Sequence, residues 1–173
     1  MNMTQHLSSP TAPASSAQFI HAIQKTGYEA RQTDPRGPVD LDGFIRALDA
    51  FPWIDQHIAW DELQDGPLPS IVLQNTADRS ELWVTALASP SGSGPISDPD
   101  QWILTEYQLH YMSIKPRKSL FGFGKETLSE TFESAEVETR EQMIALCRLF
   151  YEGRQDELDR ALKKAAEQAR WRN

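Results

Sequence analysis

The chain has 173 residues, a formal charge of -8, 39% hydrophobic and 24% charged residues, and a single cysteine, Cys147. That is the composition of a globular chain long enough to bury a core; it excludes an intramolecular disulfide and a cysteine-rich zinc site. No run approaches the roughly 18 apolar residues of a membrane-spanning helix, and the acidic balance disfavours nucleic acid, whose binding needs Lys and Arg against phosphate.

The opening "MNMTQHLSSPTAPASSAQ" has neither a basic start nor an apolar stretch, so a secretory signal is not expected and a cytoplasmic setting is. Its Ser, Thr, Ala and Pro content predicts a disordered leader over residues 1–15, with 16–173 forming one domain. "SSAQFIHAIQKTG" predicts a short helix, capped by Ser15 or Ser16, striped by Phe19, Ile20 and Ile23, and stopped at Gly27. "YEARQTDPRGP" reads as a loop. Asp40 then caps a clearer helix in which Leu41, Phe44, Ile45, Leu48 and Phe51 share a face until Pro52 ends it. "WIDQHIAWDELQ" predicts another helix offering Trp53, Ile54, Ile58 and Leu63 to the interior, and Gly66, Pro67 and Pro69 close a helical half spanning 16–65.

From residue 70 to 133 the apolar period changes from 3.6 to 2. "SIVLQN" and "ELWVTALA" predict strands joined around the turn "TADR". After the loop "SPSGSGPISDPD", "WILTEYQLHYMSI" predicts the longest strand, with Ile103, Tyr107, Leu109 and Tyr111 on one side and Glu106, Gln108 and His110 on the other. "ETLSETFES" supplies a fourth strand, and connections this short imply antiparallel pairing. Two helices over 139–170 complete the chain. Thr139 with Gln142 makes a capping box, Met143, Leu146, Cys147, Phe150 and Tyr151 form one stripe, and Leu158, Ala161, Leu162, Ala165 and Ala169 form the next. The expected fold class is therefore α+β: a four-stranded antiparallel meander with N-terminal and C-terminal helices packed on one face.

Three stretches carry candidate chemistry. "KPRKSLFGFGKE", residues 115–126, clusters cations around two glycines, but it lacks the spacing of a P-loop, has Glu126 where a hydroxyl is needed, and precedes a strand. It reads as a hairpin loop whose Phe121 and Phe123 either pack inward or form a docking spot beside the cations. In "DQHIAWDE", His57 and Asp61 are four apart and share a helix face, as a metal or a proton-transfer pair requires. Two ligands make a poor metal site and Asp55 is misaligned, so a solvent-facing polar stripe is the favoured reading and no metal or cofactor is assigned. Glu106, Gln108 and His110 share a strand face, with Glu106 and His110 roughly 13 Å apart. Partners from neighbouring strands, Trp83 or Thr85, would be needed to build a ligand site there. Cys147 belongs to an apolar stripe and reads as a small inert hydrophobe.

Charge is concentrated between residues 40 and 65, where Asp40, Asp42, Asp49, Asp55, Asp61, Glu62 and Asp65 face only Arg46. Such a surface suits a basic protein partner, and Asp55, Asp61, Glu62, Trp60, Phe121 and Phe123 are the partner-binding candidates. Trp53, Trp83 and Trp102 are further anchors wherever they are exposed.

The arrangement of "FIRALDAFPWIDQHIAWDEL", a Pro-rich lead into "SIVLQN", a strand meander and the closing "MIALCRLFYEGRQDELDRAL" resembles small bacterial α+β proteins of the toxin-immunity type over most of residues 40–165. The resemblance lies in layout, so no functional residue is carried over. It implies a non-catalytic, cytoplasmic protein that neutralises one cognate toxin by occluding it. Two other readings stand beside it: a small-ligand protein or enzyme using the Glu106, Gln108 and His110 face, and a structural or secretion-associated adaptor using the Phe121 and Phe123 loop or the C-terminal helix.

Overall fold

The computed structural model describes residues 18–117 and 127–171. In chain order the elements are β1 (Phe19–Gln24), β2 (Asp34–Pro38), α1 (Leu41–Ala50), α2 (Trp53–Leu63), β3 (Ser70–Asn75), β4 (Glu81–Pro90), β5 (Trp102–Arg117), β6 (Thr127–Val137), α3 (Arg140–Tyr151) and α4 (Gln155–Arg170). The fold is α+β, and the sheet is antiparallel throughout, in the order β2-β1-β3-β4-β5-β6.

Six strands replace the four expected, and both extra strands come from the segment read as helix and loop. "FIHAIQ" is too short for periodicity to separate helix from strand. As β1 it pairs with β3 on one side and β2 on the other, satisfying its backbone on both edges. β2, "DPRGP", has almost no intrinsic strand preference. Among the described residues it pairs only with β1, through a register shift at His21/Ala22, and its two prolines suit an edge position. The helical lead over 16–65 is thus two strands followed by α1 and α2. The leader over 1–15, Phe121 and Phe123 lie outside the described residues.

Alternation along the strands sorts the sheet into two faces. Phe19, Ile71, Leu73, Leu82, Val84, Ala86, Leu109, Tyr111, Ala135 and Val137 point to one side, where they form a single core with side chains from all four helices. Those are Phe44 and Leu48 of α1, Trp53 of α2, Met143, Leu146, Cys147 and Phe150 of α3, and Leu158 and Leu162 of α4. Local signals set the helix ends: Asp40 accepts from the Gly43 amide at 2.7 Å, and Thr139 and Gln142 form the expected capping box. A bidentate Arg140–Asp49 pair, with contacts of 2.8 and 2.7 Å, joins α3 to α1.

One strand expectation is corrected by a bulge. The β4–β5 register shifts between Leu87 and Ala88, leaving Thr105 as an extra residue on β5. Tyr107, Leu109 and Tyr111 keep the covered side, but Ile103 turns over with Ser89 and is 52% exposed. Among the described residues no helix is long and apolar enough to cross a membrane.

Candidate functional site

The site begins with a backbone problem. Ile71 pairs with Val84, and continuing that register puts Pro69 opposite Ala86. Proline has no amide hydrogen, so the Ala86 carbonyl receives no ladder bond from that position. α2 supplies the missing donor. His57 Nε2 lies 2.7 Å from the Ala86 oxygen, and a carbonyl can only accept, so Nε2 carries the proton. His57 is only 5% exposed, which corrects the solvent-facing stripe expected of it. Burial holds its pKa below the ordinary histidine value, with the Ala86 bond opposing, and the ring is neutral near pH 7. Its Nδ1 is then an acceptor. It has no partner among the described residues and is not among the buried polar atoms lacking one, so it keeps contact with solvent.

His57 also lines a cleft of about 360 Å³ between α2 and the β4–β5 hairpin, together with Trp60, Asp61, Leu68, Trp102, Glu106, residues 87–90 and Thr105. Each tryptophan is held by its indole N–H. Trp60 donates to the Gly66 carbonyl at 3.1 Å, which the left-handed backbone of Gly66 (φ +86°) turns back toward α2. Trp102, 7% exposed, donates to the Ile96 carbonyl at 2.8 Å. Gln64, the left-handed C-cap of α2, donates to the Asp61 carbonyl at 2.6 Å and to its carboxylate at 3.2 Å, which steadies Asp61 at the cleft.

The cleft brings together residues that the sequence reading held apart. Trp60 and Asp61 were partner-surface candidates and Glu106 belonged to the strand row, yet all three line it. Asp55 and Glu62 are exposed on α2, outside this lining. Leu63, expected in the interior, is 51% exposed. Part of the acidic segment serves the fold, since Asp40 caps α1 and Asp49 pairs with Arg140. Among the described residues no group of three His, Cys, Asp or Glu side chains could hold a metal.

Glu106, Gln108 and His110 keep the shared strand face expected of them, the sheet face without helices, and of the three Glu106 alone reaches the cleft lining. Gln108 and His110 pair with Thr85 and Trp83 of β4, the neighbours expected for them. Gln108 donates to Glu136 at 3.4 Å and accepts from His110 Nε2 at 3.1 Å, and the His110 ring stacks on Phe132 at 5.2 Å. Burial lowers the His110 pKa, with Glu136 opposing, and its Nδ1 is buried without a partner among the described residues. Glu81 accepts from Trp83 at 2.9 Å and from Gln74 at 3.0 Å. A shallow cavity of about 400 Å³ on this face has Met112 and Ile114 in its lining, with Arg31, Arg79, Glu81 and Glu130 around them. Cys147 is fully enclosed and its thiol is pushed up to about 12 by burial, so it remains protonated.

No family model, curated protein or solved structure matches the chain.

Proposed function

We propose that the protein is a non-catalytic binding protein that docks a basic protein partner through the acidic surface around α2, acting in the cytoplasm as an immunity-type protein that neutralises a toxin by occlusion. The observation that carries this reading is the gathering of two fixed tryptophans and two carboxylates, Trp60, Trp102, Asp61 and Glu106, in one cleft. Asp55, Glu62 and Asp65 are exposed nearby in sequence, with no opposing Lys or Arg between residues 53 and 69. Aromatic anchors with a charged rim are the usual anatomy of a protein-binding surface, and the rim steers a partner of opposite charge.

Affinity capture from the native host with the full chain, followed by mass spectrometry, tests the proposal. The expected result is a stoichiometric basic protein whose association slows with salt and slows further when Asp55, Asp61 and Glu62 are neutralised together. Association that ignores both, measured at low salt, would remove this surface from the reading.

A second reading is favoured by one observation, the Nδ1 of His110 beside Gln108, buried and without a partner among the described residues. A small molecule bound on the open sheet face would supply that contact. Recovery of a metabolite and no protein in the same capture would support it.

A further inference from the structure

We infer that the cleft between α2 and the β4–β5 hairpin is built to take one cationic side chain of the partner, an arginine guanidinium. The inference rests on the proposed binding of a basic partner and names the chemistry that this surface selects.

The charged and imidazole groups left to a ligand in the cleft are acceptors. Asp61 and Glu106 carry carboxylates, which only accept, and the neutral His57 presents Nδ1 as an acceptor because Nε2–H is engaged by Ala86. Both indole N–H groups are occupied, by Gly66 and by Ile96, so neither tryptophan offers its donor to a ligand. An anion entering here would meet two negative charges, with the Ser89 hydroxyl as the side-chain donor left to it, since Thr105 donates to the Leu87 carbonyl. A guanidinium meets acceptors together with aromatic walls, which attract cations through the negative face of the ring. His57 adds to the carboxylates from a separate position: the side chain is more than nine-tenths buried, Nε2 is fixed on Ala86, and Nδ1 has no hydrogen bond among the described residues. A volume of about 360 Å³ lies at the small end of ligand sites, which run roughly 300–1,000 Å³. It suits one side chain or a compact cation.

Arginine fits better than lysine for a geometric reason. Its planar group can lie against an indole while its forked donors reach more than one acceptor, whereas an ammonium is a strongly hydrated point charge.

The test uses the full chain labelled with nitrogen-15 and titrated with arginine amide, lysine amide and the neutral norleucine amide, following the indole signals of all five tryptophans. Trp60 and Trp102 should shift while Trp53 and Trp83 stay in place, and arginine amide should saturate at the lowest concentration. Asp61→Asn and Glu106→Gln should each weaken arginine amide about tenfold, as expected for loss of one charge-assisted hydrogen bond. Glu81→Gln on the open face should leave it unchanged. No indole shift, an equal response to norleucine amide, or a shift at Trp83 alone would overturn the inference. A captured partner that binds the Asp61→Asn, Glu106→Gln double variant as tightly as the natural chain would also overturn it, while leaving partner binding intact. Arginine amide bound in the cleft with no protein ever captured would sink the partner reading alone.

Discussion

α1 and α2 are consecutive helices of 10 and 11 residues separated by two residues, and they serve different ends. α1 has a side-chain cap at Asp40, buries Phe44 and Leu48, and turns Asp42, Arg46 and Asp49 outward. α2 starts after Pro52 with no capping side chain. It buries Trp53 and His57, lines the cleft with Trp60 and Asp61, and leaves Leu63 exposed. A helix that turns one face to the core and the other to solvent separates its apolar and polar residues cleanly. α2 meets both the core and the cleft, so its residues follow no single stripe. The blurred pattern marks the helix that lines the cleft.

The two helices should respond differently to substitution. The largest effect is expected from Phe44→Ala, which empties a fully buried position and should cost about 3–5 kcal/mol in urea unfolding. The variant's remaining folded fraction should still respond to arginine amide. If it does not, α1 is more closely coupled to the cleft than its packing implies.

His57→Leu comes next. It leaves the Ala86 carbonyl without its donor, at a cost of about 1–3 kcal/mol, and also removes the Nδ1 acceptor, so stability and arginine-amide affinity should fall together. The histidines also give stability a pH dependence. His21, His57 and His110 are all held below the ordinary value of 6.5, chiefly by burial. The unfolded chain therefore takes up protons first. Stability is full above about pH 6.5 and declines as the pH falls through the lowered folded values. Urea midpoints at pH 7.5 and 5 should show the decline. His110→Gln should reduce its slope while leaving the cleft's response to arginine amide intact.

Asp40→Ala should cost about 1 kcal/mol, the usual value of a lost N-cap, with no change in cation binding. Asp61→Asn is the converse. Its stability should stay within about 0.5 kcal/mol of the natural chain, as for most surface changes, while the Trp60 and Trp102 indole shifts weaken. A comparable stability loss in both variants would erase the distinction between a structural and a functional helix.

Much of the fold is legible residue by residue. The Asp40 cap, the Leu41 to Phe51 stripe, the capping box of Thr139 and Gln142, and the "SIVLQN" strand are local features, and the structure keeps each of them. The misreadings fall where local signals are short or contradictory. Phe19, Ile20 and Ile23 fit a helix and a strand equally well, and only pairing with both β2 and β3 decides for the strand. Ile103 obeys alternation until Thr105 is displaced by a bulge. For the site, Trp60, Asp61 and Glu106 each stood out in the sequence, but their shared cleft did not. His57 stood out too, but as part of a solvent-facing stripe, because its buried role depends on Pro69 lying opposite Ala86, a pairing between segments distant in sequence.

The sequence by itself determined the α+β class, the antiparallel strands after residue 70, the ends of three helices and the concentration of acid around α2. These follow from periodicity, capping and charge, which act over a few neighbouring residues. Tertiary structure alone decided the six-stranded order, the burial of His57, and the meeting of α2 carboxylate and tryptophan with a glutamate of β5. The physical reason is that strand register and helix docking are set by backbone hydrogen bonds and packed surfaces contributed by remote segments. No local window contains both partners.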